Sequence, residues 1–120
     1  MALALALRSP EIELSLVTTV FSDSVLRARI ARKLLVMEGQ EHIPVAAGCN
    51  LPLMRRHSPG LDGHEGRDFL QDERDGLPIH PGHAADHLVS AIMDADQPPV
   101  LVTIGPLTNV ALALIKEPEI

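Results

Sequence analysis

Aromatic residues are nearly absent from the 120-residue sequence, which has two Phe and neither Trp nor Tyr. A hydrophobic core must therefore be built from Leu, Val, Ile, Ala and Met. The low aromatic content excludes the stacking surfaces that bind single-stranded nucleic acid. The formal net charge is −6, and the basic residues lie mainly in Arg27–Lys33 and Arg55–Arg56. Without a broad basic face, nucleic acid is not expected to be the main partner.

Cysteine is equally scarce, because Cys49 is the only one. A single cysteine excludes an internal disulfide framework and fits a reducing compartment. No dedicated histidine lies near Cys49 in sequence, so its thiol is expected to be inert. The apolar start, Ala2–Leu7, is too short for a membrane span and lacks the basic region of a signal peptide. These features favour a cytoplasmic protein with no membrane partner.

The hydrophobic pattern predicts an alternation of helices and strands. The predicted elements are helices at Ala2–Leu7, Ser24–Glu38 and Gly82–Asp94, and strands at Glu13–Val20, Pro44–Gly48 and Val100–Ile104. Alternating elements of this kind indicate an α/β fold with a mostly parallel sheet, in which ligands gather outside the carboxyl ends of the strands. The segments that follow strands, and so carry any site, are Val20–Ser24, Gly48–Arg56 and Ile104–Asn109.

The helix predicted over Ser24–Glu38 has the clearest end signals. Asp23 or Ser24 is suited to cap its amino end, and Gly39 to stop it. The three- and four-residue spacing of four large apolar residues predicts that they form its apolar face. These residues are Leu26, Ile30, Leu34 and Met37.

An internal repeat suggests that the sequence is a piece of a longer one. The stretches "ALALRSPEI" (4–12) and "ALALIKEPEI" (111–120) are near copies, each a small-residue helix stopped by proline. A predicted strand follows the first copy, and no chain follows the second. Residues 1–120 are therefore expected to be an interior fragment of one α/β domain.

Three motifs carry a resemblance to a known family: "LALALRSPEIELSLVTTV" (3–20), "IPVAAG" (43–48) and "LVTIGPLTNVALAL" (101–114). Together they resemble the inosine–uridine-preferring nucleoside hydrolases. The resemblance implies a partial Rossmann-like sheet with flanking helices, here without its first strand. It also implies hydrolysis of purine and pyrimidine ribonucleosides to base and ribose, in nucleoside salvage, by a homo-oligomeric enzyme with aspartate-bound Ca²⁺.

The resemblance also implies which site residues lie in this chain. The family's catalytic and metal-binding aspartates would fall before Met1 or after Ile120, so the fragment alone is expected to be inactive. Ile104, just before "GPLTN", would give its backbone carbonyl to calcium. Asp23 stands where the family has an Asn that contacts the substrate, with Ser22 in place of the preceding Gly. His64, in "GHEG", is a weaker candidate for the substrate site.

Other interpretations stay open at this point. Asp23 is equally suited to a helix cap, Ile104–Asn109 to a simple strand-to-helix turn, and His64 to an exposed loop. The spacing of His80, His83 and His87 is compatible with a zinc site, although no Cys or Glu–His pairing strengthens it. The whole chain is alternatively a non-catalytic fragment acting as an interaction or regulatory module, or another α/β nucleotide-binding protein.

Overall fold

The computed structural model describes residues 2–54, 65–70 and 78–120. In chain order the elements are helix α1 (Ala2–Leu7), strand β1 (Val17–Thr19), helix α2 (Ser24–Met37), strand β2 (Val45–Ala47), helix α3 (Ala84–Met93) and helix α4 (Thr108–Lys116). Helices α1, α2 and α3 lie within or close to the predicted bounds Ala2–Leu7, Ser24–Glu38 and Gly82–Asp94, and α4 contains the small-residue helix of the second repeat copy.

The two strands form a parallel pair. Val17 is opposite Val45 and Thr19 is opposite Ala47. The pairing is shorter than the predicted strands Glu13–Val20 and Pro44–Gly48, since only three residues on each strand are paired. On the other edge of β2, His80 N donates to Val45 O at 2.7 Å.

Helix α2 is capped as predicted but packs on a different face. The Asp23 carboxylate accepts from Leu26 N at 2.8 Å, and Gly39, at φ 68°, ends the helix. The buried positions are Ser24, Ala28, Ala31 and Leu35. The predicted apolar face is therefore wrong for Met37, which is 65% exposed. Small residues face the sheet because they let the helix approach it closely.

Two apolar clusters cover the sheet. Val17 packs against the first, which joins α1, α2 and β2, and Leu16 against the second, which joins α3 and α4. Adjacent residues of an extended chain point to opposite sides of a sheet. The helices therefore flank the strands on two sides, as a partial Rossmann-like α/β fold requires.

The third predicted strand, Val100–Ile104, does not form. These residues have no strand pairing in the part of the chain that the structure describes. Val100 is 89% exposed and Ile104 is 80% exposed. The segment has a strand-like composition, but a strand exists only when a neighbouring strand accepts its hydrogen bonds.

None of the helices in the described ranges is long and apolar enough to cross a membrane.

Candidate functional site

The chain bends sharply where β1 ends, and the bend is hydrogen-bonded to the segment that follows β2. Phe21 N donates to Cys49 O at 2.7 Å, and Ser22 N donates to Asn50 O at 2.8 Å. Phe21 and Ser22 both have positive φ, 73° and 55°. Left-handed backbone is unfavourable for residues other than glycine, and such strain concentrates at functional sites. The bend brings the start of α2 to the carboxyl ends of the strands.

Asn109, in the first turn of α4, joins the ends of the two strands. Its Nδ2 donates to Thr19 O at 2.9 Å, and its Oδ1 accepts from Cys49 N at 2.8 Å. The side chain is almost fully buried, with 4% of the residue exposed. A side-chain amide offers a donor and an acceptor side by side, and Asn109 uses one for each strand end. Asn109 therefore fixes α4 against β1 and β2.

Ser24, the first residue of α2, adds a second link at the same edge. Its buried hydroxyl lies 2.7 Å from Gly48 O and 2.6 Å from Asn50 Oδ1. Thr19 Oγ1 donates to Ser24 O at 2.7 Å. These bonds hold the first turn of α2 against the ends of both strands.

Asp23 lies in this bend, on the surface. One of its carboxylate oxygens caps α2 through Leu26 N, so the predicted helix-capping role is confirmed. The residue is exposed and directly follows the strained Ser22. The predicted contact between Asp23 and a substrate stays a prediction.

Ile104 also lies close to the end of β1. A Cβ placed on the next residue, Gly105, would lie 3.1 Å from Val20 Cγ1. Ile104 therefore lies one residue from a close contact with the residue that follows β1. All three predicted strand-end segments, represented by Val20, Gly48 and Asn109, thus meet at one edge of the sheet.

His64 lies outside the described residues, but its neighbour Glu65 is anchored near the same bend. Arg27 Nη2 lies 3.0 Å from Glu65 Oε1, and the Arg27 guanidinium is 5.7 Å from the centre of the Phe21 ring. Arg27 therefore links the 65–70 segment to the residues that follow β1.

Cys49 has a histidine partner that the sequence analysis missed. His83 Nε2 lies 3.6 Å from Cys49 Sγ, and His83 Nδ1 accepts from Ala85 N at 3.2 Å. An Nδ1 that accepts leaves the proton of a neutral imidazole on Nε2, so the ring donates towards the sulfur. The two residues are 34 positions apart. The feature of the sequence that could have suggested this pair is the position of each residue: Cys49 follows a predicted strand, and His83 lies at the start of a predicted helix.

The three histidines of the predicted zinc alternative do not converge. His83 faces Cys49, whereas His80 and His87 face each other. Across residues 2–54, 65–70 and 78–120, no group of three His, Cys, Asp or Glu side chains is placed to hold a metal ion.

Comparison with known proteins identifies the family. The family model described as inosine-uridine preferring nucleoside hydrolase matches residues 1–120. An uncharacterised protein of Schizosaccharomyces pombe is 40% identical over 97% of this chain and 39% of its own length. Proteins named non-specific ribonucleoside hydrolase RihC are 37% identical in Klebsiella pneumoniae and 36% identical in Salmonella agona, each over 98% of this chain and 40% of its own length.

The chain thus spans about two fifths of the length of the curated relatives it matches. The match runs over the whole sequence, including the strand ends and the first turn of α4 that meet at the site. The resemblance of the three motifs is confirmed, and the chain belongs to the inosine-uridine preferring nucleoside hydrolase family.

Proposed function

We propose that the chain forms one wall of the substrate pocket in a ribonucleoside hydrolase. Such an enzyme cleaves the N-glycosidic bond of purine and pyrimidine ribonucleosides and releases base and ribose. The observation that supports this best is the family match over residues 1–120. The activity is proposed for a whole protein that contains these residues, because the chain spans only about 40% of its relatives. A cytoplasmic, homo-oligomeric enzyme of nucleoside salvage is the corresponding proposal for that protein.

The geometry of the sheet edge supports the proposed pocket. The polar side-chain atoms of Asn109 and Ser24 form the hydrogen bonds that hold the strand ends together. They therefore position neighbouring residues rather than bind the substrate. Asp23 is an exposed polar side chain that this frame presents at the bend.

In the proposed role, the Asp23 carboxylate accepts hydrogen bonds from ribose hydroxyl groups. Cleavage of a glycosidic bond passes through an oxocarbenium-like transition state, in which positive charge develops on the sugar. A carboxylate beside the ribose stabilises that charge as well as orienting the ring. His64 is proposed as a second substrate contact, and its neighbour Glu65 is held near the bend by Arg27.

Calcium is proposed for the whole enzyme, but the residues described here do not make a calcium site. Ca²⁺ takes six to eight oxygen ligands, usually several carboxylates. Ile104 offers one backbone carbonyl, and no cluster of three candidate side chains lies within the described ranges. We therefore propose that Ile104 contributes its carbonyl only alongside carboxylates from outside residues 1–120.

A chimera tests the proposed function. Residues 1–120 would replace the aligned segment of the Klebsiella pneumoniae ribonucleoside hydrolase, and ribose release from inosine and uridine would be measured. Circular dichroism and a single thermal transition would establish that the chimera is folded. We expect ribose release. A folded chimera without activity would instead favour a non-catalytic interaction module.

Substitutions of Asp23 in the chimera separate its two roles. Asn caps a helix as well as Asp does, so Asp23→Asn is the matched control for the cap: it should keep the stability and lose only the part of kcat/KM that depends on the negative charge. Asp23→Ala should lower kcat/KM by about tenfold or more. If Asp23→Ala lowered the melting temperature and left kcat/KM unchanged, Asp23 would be a helix cap only.

A further inference from the structure

Two histidines and a backbone carbonyl converge at the first turn of α3 and the segment before it, in an arrangement that does not depend on the proposed function. His80 Nδ1 lies 3.2 Å from His87 Nε2. The Pro81 carbonyl oxygen lies 2.7 Å from His87 Nε2 and 3.2 Å from His80 Nδ1. Three atoms that can each donate an electron pair thus face one point.

The shortest contact assigns one proton to this point. A carbonyl oxygen only accepts, and His87 Nε2 lies closer to Pro81 O (2.7 Å) than His80 Nδ1 does (3.2 Å), so we assign the proton to His87 Nε2. His80 Nδ1 then faces the same N–H with its lone pair. A metal cation can replace that proton, which moves to His87 Nδ1 as the ring changes tautomer.

The spacing of the three atoms suits metal coordination. Imidazole nitrogens bind first-row metals at about 2.0–2.1 Å. At that distance, two nitrogens 3.2 Å apart subtend roughly 100° at the ion. The shorter separation of 2.7 Å between His87 Nε2 and Pro81 O subtends roughly 80°. Angles near 90° are those of tetragonal or octahedral sites, which Cu²⁺ and Ni²⁺ prefer, rather than of tetrahedral Zn²⁺ sites.

We propose that His80, His87 and the Pro81 carbonyl bind a divalent transition metal ion, Cu²⁺ or Ni²⁺, with water completing the coordination. His83, the remaining histidine of the predicted zinc alternative, is not a ligand. Its Nδ1 accepts from Ala85 N and its Nε2 faces Cys49.

The fold holds both histidines in place before any metal binds. His80 is fixed through its backbone, since its N–H donates to Val45 O at 2.7 Å. His87 lies on α3, and the two rings meet edge to face with centres 4.2 Å apart. The turn between them contains Gly82 at φ 94°, a conformation that glycine adopts readily. A bound ion would therefore connect the segment paired with β2 to helix α3.

The test is a metal titration of the 120-residue chain in a Cys49→Ser/Val102→Lys background. The first change removes the soft sulfur ligand, and the second opposes association through the exposed segment 100–104. Isothermal titration calorimetry with Ni²⁺ gives affinity and stoichiometry. Electron paramagnetic resonance with Cu²⁺ reports the number of coordinated nitrogens. The variants are His80→Ala, His87→Ala and His87→Gln, and the matched control is His42→Ala, which removes another exposed histidine. Circular dichroism checks the helix content of each.

We expect one Ni²⁺ site per chain and Cu²⁺ coupled to two nitrogens. Removal of either ligand should weaken binding by about tenfold or more, and His42→Ala should not. His87→Gln retains an N–H donor for Pro81 O, so it separates loss of the metal ligand from loss of the local fold. Equal affinity in His80→Ala, His87→Gln and the parent chain would overturn the proposal, as would an equal loss in His42→Ala.

Discussion

Gly48 and Asn109 approach each other so closely that position 48 has no room for a side chain. A Cβ placed on Gly48 would lie 2.2 Å from Asn109 Oδ1 and 2.5 Å from Asn109 Nδ2. The same amide bonds Thr19 O and Cys49 N, so it cannot move aside without losing both bonds. The pair therefore determines how closely α4 approaches the strand ends.

Gly48→Ala should lower the free energy of unfolding by about 1–3 kcal/mol, the usual cost of overpacking a buried site. Urea denaturation of the chimera would measure it. Gly39→Asn is a control, because Gly39 has a positive φ but no atom within 4 Å of its Cβ position, and Asn tolerates that backbone. A Gly48→Ala variant as stable as the control would contradict the close contact.

A double-mutant cycle tests the contact itself. Asn109→Ala leaves the Cys49 N–H without its partner and should cost about 1–3 kcal/mol. It also makes room at position 48. The double variant Gly48→Ala/Asn109→Ala should therefore be less destabilised than the sum of the single variants, by about 0.5–3 kcal/mol. Strict additivity would mean that the two side chains do not compete for the same space.

A pH-dependent contact joins α3 and α4. The hydrogen bond from Lys116 holds the pKa of the Asp86 carboxyl below its ordinary value of 3.8, and the positive charge of Lys116 acts in the same direction. A carboxyl whose pKa is lower in the folded state contributes stability above its unfolded pKa. That contribution is lost as the pH falls through the lowered value.

Lys116→Gln should raise the pKa of Asp86 towards 3.8. A carboxyl-detected NMR titration would measure the shift. The loss of stability should be small, because both side chains are exposed. This loss of stability in Lys116→Gln should be present at neutral pH and absent once Asp86 is protonated in both the folded and the unfolded state. An unchanged Asp86 titration in the variant would show that the two side chains are not paired in solution.

The parts of the fold that local chemistry determines could be predicted from the sequence. Asp23 and Gly39 specify the ends of α2 through a side-chain acceptor and a left-handed turn. The inward face of α2 could not be predicted from the spacing of large residues. Close packing against the sheet selected the small residues Ala28 and Ala31, and that choice depends on a surface distant in sequence.

The candidate site likewise combines features that the sequence could predict with contacts that it could not. The position of Asn109 at a strand end followed from the order of elements, but its two bonds depend on strands about 60 and 90 residues away in sequence. The contact between Cys49 and His83 has the same origin. Such contacts have no local signature, because the topology of the sheet creates them.

The isolated chain should neither bind calcium tightly nor hydrolyse ribonucleosides. Ile104 supplies one carbonyl, whereas a calcium site needs several carboxylate oxygens. Calorimetry with Ca²⁺ and a reducing-sugar assay with inosine and uridine would measure both properties. The intact Klebsiella pneumoniae hydrolase serves as a positive control for the assay. Calcium-dependent release of ribose by the 120-residue chain would contradict this prediction.

The isolated chain should also self-associate or pack loosely, because it exposes an apolar segment with no strand partner in the described part of the chain. Val100, Val102 and Ile104 are 89%, 77% and 80% exposed, and β1 is paired with β2 alone in the described sheet. Unpaired strand edges of this composition bind other chains. Val102→Lys should reduce association, since a charge opposes edge pairing, whereas Leu5→Lys, on the exposed side of α1, should not. Analytical ultracentrifugation would compare the three chains. A parent chain that sediments as a monomer, with dispersed amide signals and one cooperative thermal transition, would show that the exposed segment needs no partner.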